Sequence, residues 1–152
     1  MIARLLGVIA PVSLTFYRSL AMSPRTSTPL IAIVDDDESV RCAVYGVLKS
    51  GGYDARSFAS AGEFLRSGLQ RTAACLISDV RMPGMSGLEL QARLAEDRCR
   101  MPIIFITAYG DSKERSQAMR AGAVVFLGKP FDDKVLLDRV RAALNMTSDG
   151  AS

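Results

Sequence analysis

At 152 residues the chain holds one ordinary domain, and 49% hydrophobic with 23% charged residues suffices for a core beneath a water-facing surface. Its formal charge of +3 owes two units to Arg4 and Arg18, in an acid-free opening of 21 residues; the remainder has 17 basic against 16 acidic side chains, a balance unsuited to gripping nucleic acid. The absence of histidine excludes Ser-His-Asp hydrolysis, His-ligated metals and a phosphohistidine within the chain.

Cys42, Cys75 and Cys99 are odd in number and lack CxxC spacing, so they give neither a disulfide framework nor a zinc site. They are expected to be small apolar packing residues in a reducing cytosol. Arg4, the apolar run Leu5 to Tyr17 and the exit Ser19-Leu20-Ala21 have the shape of a secretory signal, too short for the roughly 20 apolar residues of a membrane span. An export signal and a membrane-associated arm compete here with an upstream start, Met22 opening the natural protein. The character of the domain from Leu30 onward favours the upstream start, so residues 1–29 are expected to be a disordered or mis-assigned extension.

From Leu30 short apolar runs alternate with amphipathic stretches, the pattern of a parallel sheet wrapped by helices. Leu30 to Val34 is a β-branched run for a strand buried on both faces, stopped by Asp35, Asp36 and Asp37. A helix is predicted over 38–50, with Val40, Ala43, Val44, Val47 and Leu48 inward and Gly51-Gly52 as its left-handed cap. Tyr53 to Phe58 is a more exposed second strand, and Ser60 to Glu63 a capping box that opens a helix carrying Phe64 and Leu65 inward. The third strand, 73–78, ends at Asp79, and a second box, Ser86 to Glu89, opens a helix through Leu94. Ile103 to Ile106 is a central strand ending at Thr107, followed by a helix over 112–121 with Asp111 as cap and Gly122 as stop. Val124 to Leu127 is the fifth strand, ending at Gly128-Lys129-Pro130. The last helix is predicted over 132–144, its core face Val135, Leu136, Val140 and Ala143.

Ligands of open α/β sheets sit beyond the carboxyl ends of the strands. There this sequence puts Asp35, Asp36 and Asp37 after the first strand, Asp79 after the third, Thr107 after the fourth and Lys129 after the fifth. Clustered carboxylates raise one another's pKa or hold a divalent cation, and hard oxygen ligands at an open cleft suit Mg2+. A carboxylate can attack phosphorus to give an acyl phosphate, a transfer that needs charge neutralisation more than acid–base groups. Singly, Asp37 is a helix cap, Asp79 a turn acid, Thr107 a strand end and Lys129 a surface lysine. Four coincidences at four strand ends favour the site.

The strings IAIVDDDESVR, SFASAGEFL, LISDVRMPGMSGLEL, IIFITAYGD and AGAVVFLGKPF, spanning roughly 30–146, resemble the response-regulator receiver family, most closely its FixJ-like subgroup. The resemblance implies a (βα)5 flavodoxin-like receiver fold, with a five-stranded parallel sheet in the order 2-1-3-4-5 and helices on both faces. It makes Asp79 the phosphoacceptor and gives Asp35 and Asp36 to Mg2+, with Asp36 a direct ligand and the Arg81 backbone carbonyl completing the site. Thr107 senses the phosphoryl group, Lys129 pairs with it across a cis Lys129–Pro130 bond, and Phe126 is the aromatic whose rotamer reports the state. It further implies a phosphorelay protein of the cytoplasm, loaded by a histidine kinase or histidine phosphotransfer protein. Such a chain is no enzyme beyond self-phosphorylation and self-dephosphorylation, and it signals to a downstream protein or a second copy through the 111–146 face. Neither nucleic acid nor membrane is expected as a direct partner.

Two departures concern the output rather than the phosphorylation site. No helix-turn-helix segment of the FixJ type stands before Ser152, and Val125 and Gly128 occupy positions where relatives often carry polar or acidic residues. Residues 30–146 are therefore expected to be a stand-alone receiver, with 147–152 a short tail. Two alternatives are a truncated transcriptional regulator and a haloacid-dehalogenase-like phosphatase with Asp35 as nucleophile.

Overall fold

In a computed structural model the structure describes residues 27–108, 112–122 and 125–150, without the side chains of 112 and 148–150. Five parallel strands lie in the order β2-β1-β3-β4-β5: β1 (Leu30–Val34), β2 (Asp54–Phe58), β3 (Cys75–Asp79), β4 (Ile103–Thr107) and β5 (Val125–Gly128). Between and after them run α1 (Glu38–Ser50), α2 (Ala61–Ser67), a short 3-10 turn (Leu69–Arg71), α3 (Gly87–Glu96), α4 (Ser112–Arg120) and α5 (Asp133–Gly150). This is the doubly wound fold that the alternating pattern dictates.

Continuous apolar runs give the central strands two buried faces, and β1, β3 and β4 are buried over nearly their whole lengths. On one face Ala32, Val34, Leu76 and Phe105 pack with Phe64, Leu90 and Leu94 of α2 and α3. On the other Ile31, Ile33, Ile77, Ile104 and Ile106 meet Val44 and Leu48 of α1 and Leu136, Val140 and Ala143 of α5. Strand β2, at the edge, buries only Phe58 fully, as its polar composition foretells.

The side-chain caps form where expected. Asp37, Ser60 and Ser86 accept from the amides of Ser39, Glu63 and Glu89, each satisfying a helix-terminal donor. In the first box Glu63 Oε2 accepts from the Ala59 amide, one residue earlier than the usual reciprocal bond.

Several local expectations need correction. Val135 is 38% exposed rather than core, because Leu136, Val140 and Ala143 already fill the inward stripe and Val135 lies off its edge. Ala43 is exposed for the same reason on α1. Cys42 is exposed and Cys99 half-buried, so only Cys75 is a fully buried packing cysteine. At the end of α1, Gly51 is right-handed (φ −82°), and the left-handed residue is Gly52 (φ +88°). Helix α5 runs six residues past its predicted end. Residues 1–26, the Asp111 cap and Val124 lie outside the described residues. Among the described residues no helix is long and apolar enough to cross a membrane.

Candidate functional site

The parallel sheet carries every strand's carboxyl end to one edge, and the expected residues meet there. Asp35 follows β1, is buried, and is fixed from three sides. Its amide donates to Phe58 O (3.2 Å), its carbonyl accepts from Arg41 Nη1 (2.8 Å), and its Oδ1 accepts from the Asp37 amide (2.9 Å). Asp36 is exposed beside it. Asp37 is engaged as the α1 cap, where bonds from the Ser39 hydroxyl (2.6 Å) and amide (2.9 Å) hold its carboxyl below the usual range.

Asp79 ends β3 and is buried. Carboxylate oxygens of Asp35, Asp36 and Asp79 lie within 4.8 Å of one another, the one such acidic trio among the described residues. Lys129, just past β5, donates through Nζ to Asp35 Oδ2 (3.0 Å) and Asp79 Oδ2 (3.3 Å). Its amide bonds Thr107 O (2.8 Å), which ties β5 to β4 at the site, and the following bond to Pro130 is cis. Thr107 ends β4 and is 1% exposed.

Burial first, then the charge of Asp35, pushes the Asp79 carboxyl above its ordinary pKa, and Lys129 offsets this only in part. Burial alone would lower the Lys129 ammonium, but the bond and charge of Asp35, joined by Asp79, raise it. Three oxygen donors held together, one under electrostatic load, match a hard divalent cation such as Mg2+, which keeps its own waters.

The aromatic residue expected to report the state, Phe126, lies one layer below. Phe126 pairs with Phe105 across β4 and β5, with ring centroids 5.8 Å apart, on the face that Thr107 shares by the two-residue strand repeat. The Arg115 guanidinium of α4 stands 5.9 Å from the Phe126 ring centre. Arg81, two residues past Asp79, pairs through Nη2 with Glu114 Oε1 of α4 (3.2 Å).

Sequence reasoning missed three contributors. Gly87 looks like filler inside a capping box, yet a Cβ there would run into the Asp79 carbonyl oxygen and crowd the Phe105 ring. Its amide also donates to Val80 O (2.8 Å), so the first turn of α3 sits directly on the Asp79 loop. Glu114 bonds Arg81 across 33 residues, and Arg41 reaches back over the turn between β1 and α1 to a backbone carbonyl, contacts that periodicity cannot reveal; only a glycine at the first position of an otherwise well-capped helix hinted at close packing. Beside Lys129 a groove of about 460 Å3 opens, with Val40, Ala43, Pro130 and Phe131 among its walls.

The family model described as the response regulator receiver domain matches residues 31–141. The chain belongs to that family. This receiver is 43% identical over 121 residues to the transcriptional regulatory protein TdiR of Thauera aromatica, covering 80% of this chain and 53% of that protein. It is 39% identical over 119 residues to the transcriptional regulatory protein FixJ of Azorhizobium caulinodans, covering 78% and 56%. The receiver thus spans about half the length of the curated relatives it matches. Among solved structures it is similar to that of FixJ-N, with a TM-score of 0.71 and 36% identity, covering 78% of this chain and 95% of that one. The likeness to FixJ in sequence and fold agrees with the subgroup that the motifs suggest.

Proposed function

We propose that this receiver takes a phosphoryl group on Asp79, in a Mg2+-dependent transfer from a phosphohistidine. The observation that carries the reading is the Lys129 ammonium 3.3 Å from Asp79 Oδ2 at an edge shared with Asp35 and Asp36. An Asp79 oxygen forms the bond to phosphorus as the bond from phosphorus to the donor nitrogen breaks. Lys129, already beside that oxygen, would neutralise one equatorial phosphoryl oxygen, and the Thr107 hydroxyl would bond another. Asp36, Asp35, Asp79 and the Arg81 carbonyl would hold the cation, which supplies charge neutralisation to the transferring group.

These 152 residues hold no histidine, so the donor histidine lies outside them, on a histidine kinase or histidine phosphotransfer protein, and the groove beside Lys129 is where such a donor can rest. Beyond accepting the group and losing it to water, the receiver has no turnover chemistry of its own. The signal leaves through residues 111–146, toward a downstream protein or a second copy, in the cytoplasm. The descriptions of TdiR and FixJ as transcriptional regulatory proteins favour a transcriptional output. No direct contact with nucleic acid is assigned to this domain. Incubation with Mg2+ and acetyl phosphate tests the reading: intact mass should rise by one phosphoryl group, and no gain overturns it.

A further inference from the structure

The pole opposite Asp79 carries a second concave surface. Strands β3 and β4 begin there, and a groove of about 850 Å3 has Ala73, Ala74, Met101 and Pro102 among its apolar lining. That size lies in the usual range for small-molecule sites. Three chain segments wall it: the 3-10 turn that carries Gln70 and Arg71, the α3–β4 loop that carries Arg98 and Arg100, and α5 at Thr147. The Cys99 thiol donates to Gln70 O (3.2 Å) and ties the first two of these together.

Two observations give this groove a chemistry. Arg71, Arg98 and Arg100 form no ion pair and no side-chain hydrogen bond among the described residues, and the one carboxylate in the lining, Asp97, is already paired with Arg93 at 3.4 Å. Arg98 has φ +59°, a left-handed position at the end of α3 that glycine or asparagine would occupy with less strain, yet an arginine stands there and lines the groove.

We propose that this groove binds a small molecule bearing two or more adjacent phosphate groups. Guanidinium forks take phosphate oxygens two at a time, and three of them on one bounded surface are matched by a di- or triphosphate, whereas a single carboxylate leaves two unmet. A bounded groove on a nearly neutral body suits a small anion rather than a nucleic-acid strand. The source is a nucleoside polyphosphate or inorganic polyphosphate, and the titration below separates the two. The inference is independent of the role of Asp79.

Amide chemical shifts of the full chain, titrated without Mg2+ in physiological salt with ATP, tripolyphosphate or orthophosphate, test it. Saturable shifts are expected at residues 69–74 and 97–102 with ATP or tripolyphosphate, and much weaker ones with orthophosphate. The double variant Arg98→Gln, Arg100→Gln should bind about tenfold more weakly or worse, since two charge-assisted contacts are lost, with an unchanged circular dichroism spectrum and unchanged phosphoryl uptake from acetyl phosphate. ATP binding tighter than tripolyphosphate assigns the nucleotide; equal binding assigns the inorganic chain. Shifts confined to the strand ends around Asp79, equal affinity for orthophosphate, or full binding by the double variant overturns the proposal.

Discussion

Lys129 Nζ lies nearer to Asp35 Oδ2 (3.0 Å) than to Asp79 Oδ2 (3.3 Å). The ammonium therefore straddles two carboxylates that repel each other, rather than belonging to the proposed phosphoacceptor alone. Asp35 is anchored through its backbone and its Oδ1, and its bond to Lys129 is the shorter, so Asp79 is the partner whose bond to Lys129 is easier to exchange for a phosphoryl oxygen.

Asp79→Asn is expected to stabilise the metal-free protein. The folded-state pKa of this acid is raised, so its ionised form burdens the fold, and that burden appears as pH rises above the unfolded carboxyl value near 3.9. In EDTA at pH 7 the variant should melt about 3 °C higher or more. The gap should close as pH falls below both the folded and the unfolded pKa. A variant that melts lower than the parent at pH 7 contradicts the electrostatic account of the trio.

Mg2+ affinity is expected to fall most in Asp36→Ala and less in Asp35→Ala, because direct ligation is lost only in the first. Titration of each variant against the parent decides. Equal affinity in all three would reduce the acids to a helix cap.

Gly87→Ala should cost about 1–3 kcal/mol, the usual penalty for overpacking, because the new methyl collides with backbone rather than with a side chain that can turn away. Chemical denaturation measures the loss. The variant should also take up the phosphoryl group more slowly, since the Asp79 loop must shift. Parent-like stability would show that α3 slides at no cost.

The sequence made the fold legible because its strands are continuous apolar runs and its helices open on side-chain caps that local spacing reveals, at Asp37, Ser60 and Ser86. The site was legible for a related reason, since parallel strands deliver Asp35, Asp79, Thr107 and Lys129 to one edge whatever the loops do. Gly87, Arg41 and Glu114 were not, because each acts through a contact set by three-dimensional packing. Val135 misled because apolar character at the border of a helical stripe does not fix which side of the border faces in.

The cysteines should react in the order of their burial. Cys42 is exposed, whereas burial pushes the Cys75 thiol up to about 12 and leaves almost no thiolate at pH 8. A maleimide at pH 8 should modify Cys42 first and reach Cys75 only in denaturant, as peptide mass mapping would show. Early Cys75 labelling of native protein would mean that β3 opens far more readily than its burial implies.

Phosphorylation should be felt at Phe126. Thr107 and Phe126 share a sheet face, and Phe126 is flanked by Phe105 and Arg115, so a hydroxyl drawn toward a phosphoryl oxygen opens room for a second rotamer. Amide shifts with a beryllofluoride mimic should extend into 112–128 and shrink in Thr107→Ala. Changes that stop at the strand ends rule out the switch.

Asp79, and not Asp35, is expected to bond to phosphorus. Protein incubated with Mg2+ and acetyl phosphate, reduced with borohydride to convert the acyl phosphate to an alcohol, and mapped by peptide mass spectrometry reads this directly. Homoserine is expected at position 79 with Asp35 unmodified, no phosphoryl uptake by Asp79→Asn and retained uptake by Asp35→Asn at a reduced rate. Homoserine at position 35, or full uptake by Asp79→Asn, would contradict it.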